Sequence, residues 1–322
     1  MIALNAAPDA RPAANPEPAL TGLIDLQVNG AGGYDLTTDP ESVWRVGAEL
    51  PRYGATAFLP TLVSPSWSIV DRARAALAAG PPAGYTGATP LGWHVEGPFL
   101  APSRAGAHDP ASLRAPDVDA VSNWTPDTGI RMVTLAPELP GALDVVRALV
   151  SRGVIVSAGH SAATFEQARA GFDAGIRSVT HIFNAMSPLS HREPGLAGAA
   201  LADERITIGL IPDGLHVHPA MVALVRRVVG PDRLVVVTDA ITALGMPPGS
   251  YTLAGRECIV DGESARLPGG GLAGSVIGID RAVANLATYA GISAEEAARA
   301  ATVVPARLLG LAVGVGLGAP VG

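Results

Sequence analysis

The sequence predicts an α/β chain folded as one (β/α)8 barrel, and three observations lead there. Eight short runs of β-branched and apolar residues recur along the 322 residues, and helical stretches with recognisable ends separate them. Several of the runs are almost continuously apolar, as parallel strands covered by helices require. The length allows a single large domain, and 48% hydrophobic against 16% charged residues supplies a sizeable core. A doubly wound open sheet is the alternative, but no G-x-G-x-x-G follows the first run.

The expected strands are GLIDLQV (22–28), ATAFLPT (55–61), TPLGWHVE (89–96) and IRMVTLA (130–136), then GVIVSAG (153–159), IRSVTH (176–181), RITIGLI (205–211) and RLVVVTD (233–239). Helix starts are marked by Asp39-Pro40 and Ser64-Pro65, where a capping side chain precedes a proline. Thr164 with Gln167 and Ser293 with Glu296 fit the capping box, and Gly175 fits a helix stop. Residues 1–21 are rich in Ala and Pro and read as a loose arm without the pattern of a signal peptide. The barrel takes 22–311, and 312–322 form a tail in an apolar end too short and glycine-rich for a spanning helix. A cytoplasmic protein with no membrane partner is the expectation.

Charge and composition exclude several functions. A formal charge of -7 argues against nucleic acid as a partner, because such binding wants a basic face. All 22 basic residues other than histidine are arginines. The absence of lysine removes a Walker lysine, a Schiff-base lysine and a lysine carbamate bridging two metals. The single cysteine, Cys258, permits no intrachain disulfide and reads as a buried small hydrophobe.

In such a barrel the chemistry gathers where strands end at their C-termini. Those ends carry Gln27 and Asn29, Glu96, His160, His181, Asp213 and Asp239. Many metal-dependent hydrolases of this architecture place His-x-His at the first strand end, whereas Gln27 and Asn29 are poor transition-metal ligands. One carboxylate and two histidines from three other strands suit a zinc-type site with an open position: Glu96, His160 and His181. Asp239 could take a proton from an attacking water and pass it to a leaving amine. His108, on the loop after the third strand, could donate to a substrate oxygen. His94 shares the inward face with Glu96 but reads as a supporting or core residue. His218 precedes a helix-opening proline and reads as structural, while the role of His216 stays open. The long loop NAMSPLSHREPGLAG carries Arg192, suited to a phosphate or carboxylate and equally to a surface salt bridge.

Taken in order, GLIDLQVNGAGGYD, HVEGPFLAPSRAGAH, GHSAAT, THIFNAMSPLSHREPG, IPDGLHVHP, VVVTDAITALG and LAGS run from about Gly22 to Leu311. This series resembles the N-acetylglucosamine-6-phosphate deacetylases, members of the amidohydrolase superfamily of metal-dependent (β/α)8 barrels. The resemblance implies hydrolysis of the acetamido group of an amino-sugar phosphate to acetate and the free amine. It implies Glu96, His160 and His181 as ligands of one divalent ion per chain, Zn2+ first, with Fe2+, Mn2+ or Co2+ as alternatives. It assigns Asp239 and His108 to catalysis, and substrate contacts to Ala107, His108, Asn184, Ala185, Arg192, His216, Leu272, Ala273 and Gly274. In that family the residue at His216 reaches the substrate phosphate of a neighbouring subunit, which implies a homodimer. The family's small β-sandwich appendage is expected to be reduced or absent, since about 21 residues precede the first strand and about 11 follow Leu311. Rival readings are a deacetylase of the galactosamine epimer, a non-catalytic sugar-phosphate binder and a two-metal hydrolase. The last is disfavoured by the missing His-x-His and the missing lysine.

Overall fold

The computed structural model describes residues 22–311; the arm expected at 1–21 and the tail expected at 312–322 lie outside the described residues. Eight parallel strands follow one another around a barrel. They are β1 (Leu23–Val28), β2 (Ala55–Val63), β3 (Trp93–Glu96) and β4 (Ile130–Leu135), then β5 (Ile155–Ala158), β6 (Ser178–Val179), β7 (Thr207–Leu210) and β8 (Leu234–Val236). The ring closes just beyond β8, where Val28 bridges Ala240 and the Asp239 amide donates to the Gln27 carbonyl at 3.0 Å.

Alternation along β2 shows how sequence becomes a barrel. Phe58 and Leu62 join the cluster between strands and helices, while Ala57 and Leu59 join the cluster inside the ring. Both faces are therefore dry, which is why the strand reads as one apolar run. The outer layer comprises α1 (Val43–Glu49), α2 (Trp67–Ala78), α3 (Ala142–Ser151), α4 (Phe165–Ala174), α5 (Gly195–Ala202), α6 (Pro219–Val229) and α7 (Ile279–Ala290). Two short helices, α8 (Ala294–Ala298) and α9 (Val303–Leu308), follow. Val304 and Ala306 of α9, with Leu309, pack on Ile24, Leu26 and Val235 and close the lower end of the barrel.

The elements differ from expectation mainly at their ends. The run 89–96 divides into a two-residue pairing at Thr89–Pro90 and the barrel strand β3. The runs ending in His181 and Asp239 stop early, because both residues turn over the rim with φ of 32° and 53°. Asp39-Pro40 opens a 3-10 turn without a side-chain cap, and the helix after Ser64-Pro65 starts two residues later, capped by Ser66. Thr164 and Gln167 form the full capping box, and Ser293 accepts from the Glu296 amide. Between β3 and β4 the connection is built of 3-10 turns rather than an α-helix.

An antiparallel sheet absent from the sequence reading sits between β8 and α7: β9 (Gly249–Leu253), β10 (Arg256–Val260) and β11 (Ala265–Arg266). Its apolar side, with Leu253, Cys258 and Val260, packs on Val63, Ile241 and Ala273 above the barrel. Among the described residues no β-sandwich accompanies the barrel.

Candidate active site

Glu96 ends β3, His160 follows β5, and His181 follows β6; all three are buried, and their donor atoms lie within 4.8 Å of one another. His160 Nε2 is 3.1 Å from Glu96 Oε1, His181 Nε2 is 3.0 Å from the same oxygen, and the two nitrogens are 3.1 Å apart. Tautomer chemistry makes this convergence informative. His160 Nδ1 lies 2.9 Å from the Arg104 carbonyl, which can only accept, so that nitrogen carries the proton. With a single ring proton, held there, His160 would point the Nε2 lone pair at a carboxylate oxygen and at a second imidazole nitrogen. Three electron-rich atoms aimed at one point suit a divalent cation, and the spacings approach the edge of about 3.3 Å for tetrahedral ligands roughly 2.05 Å from zinc. The donor set fits the metal that the sequence implies.

Asp239 stands on the same cavity, and Asn29 Nδ2 donates to its Oδ1 at 2.7 Å. Burial and then the nearby Glu96 charge push the Asp239 carboxyl up to about 6. Burial also raises Glu96, but the neighbouring His160 and His181 imidazoles outweigh it and hold that carboxyl well below its usual range. Burial, then the neighbouring His160, keeps His108 neutral, well below an ordinary imidazole. The His108 ring presents Nε2 3.8 Å from Glu96 Oε2, while Arg256 of β10 donates to the Ala107 and His108 carbonyls at 2.8 and 2.9 Å. The unexpected sheet thus holds the loop that carries His108.

Several rim residues occupy the left-handed region, His160 (48°), His181 (32°) and Asp239 (53°) among them. Each such non-glycine conformation costs about 1–3 kcal/mol and persists where surrounding structure enforces it, commonly at functional sites. The glycine of LAGS has a matching cause. A Cβ on Gly274 would meet the Asp239 carbonyl oxygen at 2.6 Å, so only glycine lets these two backbones approach.

The cavity has a volume of about 410 Å³, the size of a small-molecule site. Besides the four residues of the centre it is lined by Ala107, His108, Asn184, Ala185, His216, Leu272 and Gly274. Ala273 is buried behind the wall, and Arg192 is exposed on its loop outside the lining. His216 Nδ1 pairs with Asp213 Oδ2 at 2.6 Å; burial raises the Asp213 carboxyl, but the His216 bond brings it below the usual value. His218 accepts from the Ala220 amide and caps α6. His94 sits lower, bonded to Thr134 Oγ1 at 2.7 Å and near the Leu26 carbonyl at 3.2 Å; burial brings it down to about 4. Gln27 also lies below the rim, in a small cavity of about 10 Å³ shared with His94 and Met132. The sequence reading missed Arg256, Leu253 and Leu267 because it assigned no structure to 249–267. It also missed Ser64, whose Oγ is 2.7 Å from His108 Nδ1.

Comparison with known proteins agrees with the barrel fold. The amidohydrolase family profile matches residues 19–319. An N-acetylgalactosamine-6-phosphate deacetylase of Escherichia coli O157:H7 is 41% identical over 295 residues, covering 89% of this chain and 77% of that one. The human N-acetylglucosamine-6-phosphate deacetylase is 39% identical over 306 residues, covering 90% and 74%. Among solved structures, a mutant N-acetyl-D-glucosamine-6-phosphate deacetylase from Mycobacterium smegmatis in complex with N-acetyl-D-glucosamine-6-phosphate superposes with a TM-score of 0.86 at 36% identity, covering 98% and 85%. The Thermotoga maritima enzyme gives 0.83 at 32% identity, covering 94% and 82%. The chain belongs to the amidohydrolase family, alongside the deacetylases of N-acetylated hexosamine 6-phosphates.

Proposed function

We propose that this chain hydrolyses N-acetyl-D-glucosamine 6-phosphate to acetate and D-glucosamine 6-phosphate, using one divalent metal ion held by Glu96, His160 and His181. The observation that carries the reading is the convergence of those three donors beside Asp239 on one cavity of about 410 Å³. When bound, the cation supplies Lewis-acid polarisation and lowers the pKa of water toward about 7. Asp239 takes the proton of the attacking water; the Asn29 amide, bonded to Oδ1, leaves Oδ2 for that exchange. His108 donates from Nε2 to the acetamido carbonyl oxygen as negative charge develops there. Asp239 then returns the proton to the amine nitrogen, which leaves as glucosamine 6-phosphate. Asn184, Ala185, His216 and Leu272 to Gly274 bound the sugar and phosphate, with Arg192 approaching from its exposed loop.

Zinc fits two imidazoles and a carboxylate. A homodimer accords with Leu189 and Leu215, two exposed apolar residues on loops beside the cavity-lining Ala185 and His216. The same proposal places the activity in the cytoplasm; no described helix is long and apolar enough to cross a membrane. The second reading is the galactosamine epimer as substrate, favoured by the 41% identical relative that acts on it. The test is acetate release from both 6-phosphates and from unphosphorylated N-acetylglucosamine, with and without chelator, alongside a metal count per chain. Activity that survives chelation overturns the metal-dependent mechanism. Faster turnover of the galactosamine substrate selects the second reading.

A further inference from the structure

Ser64 lies just past the end of β2, and it is buried. Its backbone is in the left-handed region at φ 38°, unusual for a side chain with a Cβ. Its amide donates to the Glu96 carbonyl at 2.7 Å, which ties it to the strand of the metal-binding carboxylate. Its Oγ is 2.7 Å from His108 Nδ1, the sole hydrogen bond of that hydroxyl among the described residues. The neighbouring glycine is shaped around the same hydroxyl: a Cβ on Gly97 would come within 2.6 Å of Ser64 Oγ. The glycine of the HVEGPF stretch therefore leaves room for Ser64 as well as turning the chain.

Two hydrogen-bond directions are conceivable between Ser64 and His108, and the far side of the ring decides between them. If Nδ1 carried the proton, Nε2 would aim a lone pair at Glu96 Oε2, 3.8 Å away, and at any acyl oxygen in the cavity; all are acceptors. If Ser64 O–H donates to Nδ1, Nε2 carries the proton and points a donor at those same acceptors. The hydroxyl has no competing acceptor among the described residues, so this arrangement pairs Ser64 with Nδ1 and turns the Nε2 donor toward acceptors. We propose that Ser64 is a positioning residue that fixes His108 in its Nε2–H tautomer, the form able to donate to the substrate's acyl oxygen. The proposal rests on the donor role given above to His108, but its structural half can be tested without turnover.

Two variants remove the hydroxyl and differ in strain. Ser64→Ala keeps the unfavourable φ, whereas Ser64→Gly relieves it and is expected to melt higher than the alanine variant. In zinc-loaded protein with 15N-labelled histidine, the His108 ring nitrogens, assigned by their loss in His108→Gln, report the tautomer directly. Wild type is expected to show a protonated Nε2 and an unprotonated Nδ1. Both Ser64 variants are expected to show a mixture, with kcat lowered by about 10–100-fold, as for other orienting partners, and KM changed far less. Equal kcat losses in two variants of different stability tie the effect to the hydroxyl. Recovery of wild-type kcat in Ser64→Gly, or an unshifted tautomer in both variants, would overturn the proposal. A shifted tautomer with unchanged kcat would support the Ser64 assignment and overturn the donor role of His108.

Discussion

The floor and the rim of this barrel belong to one ring of strands and obey opposite rules. Below, Ile24, Leu26, Ala57, Leu59, Met132, Val235 and Val237 fill the interior, and Val304, Ala306 and Leu309 seal it. Packing holds that region, and its residues keep ordinary strand geometry. At the C-terminal end of the ring, β3, β5, β6 and β8 lead into Glu96, His160, His181 and Asp239; the first three are buried and Asp239 partly so, yet all are ionisable, crowded and partly strained in backbone. Between the two runs a belt of hydrogen-bonded groups: His94 to Thr134, Thr134 to Thr180 and Thr180 to Ser157, each link 2.7 Å. The rim is thus a costly surface that the floor and the belt make affordable, as expected where stability is given up for chemistry.

If the comparison is right, rim substitutions should abolish function with little harm to folding, and floor substitutions should do the reverse. The largest effect belongs to Glu96→Gln. Its bound metal, counted by elemental analysis, should fall from one per chain to a small fraction, and acetate release should vanish. Metal added to wild type should raise Tm, because the ion binds only the folded state; in the variant that shift should be lost. A variant that retains stoichiometric metal would break the assignment of the centre. Asp239→Asn comes next, with kcat lowered on the order of 10²–10⁴-fold while the metal is retained. Its stability should hold or rise. With the Asp239 pKa raised to about 6, the stability tied to its protonated form is lost as pH climbs through that value, and asparagine has no such loss. Leu59→Ala in the floor should instead cost roughly 2–5 kcal/mol by denaturant melting, with kcat per folded molecule unchanged.

Legibility in the sequence divides along the same line. Floor strands such as ATAFLPT announce themselves through continuous apolar runs, because both of their faces are dry. The proposed metal ligands were legible as strand-end residues, since the barrel architecture dictates where strand ends point. Strand ends themselves were drawn too long at His181 and Asp239, because positive φ at a non-glycine residue leaves no mark in composition. The sheet at 249–266 was missed for another reason. Its strands GSYTL and RECIV mix polar and apolar residues on a half-exposed hairpin, so they resemble loop. Ser64 was read only as a helix-capping residue, and its contact with His108 joins positions 44 apart, a link carried by the fold alone.

Asp25 gives the subtlest test, because it is a buried carboxylate without the rim's chemistry. It sits where β1 meets the chain leaving β8, accepting from Thr238 Oγ1 at 2.5 Å and from the Thr238 and Gln27 amides at 3.2 Å each. Burial dominates those three bonds and lifts its pKa to about 7, whereas the same group in the unfolded chain titrates near 3.9. Between those values the folded protein keeps a proton that the unfolded chain has released. Stability from this group is therefore full in acid and is lost as pH rises through about 7. Asp25→Asn keeps an acceptor oxygen and cannot ionise, so it should melt a few degrees higher relative to wild type at pH 8 than at pH 5. Turnover should change little, since Asp25 lines no part of the active-site cavity. A gap in Tm that stays constant from pH 5 to 8 would show that Asp25 is ionised in the fold. The raised carboxyl at Asp239 would then reflect the rim's own crowding of charge, rather than burial that acts alike on both sides of the barrel.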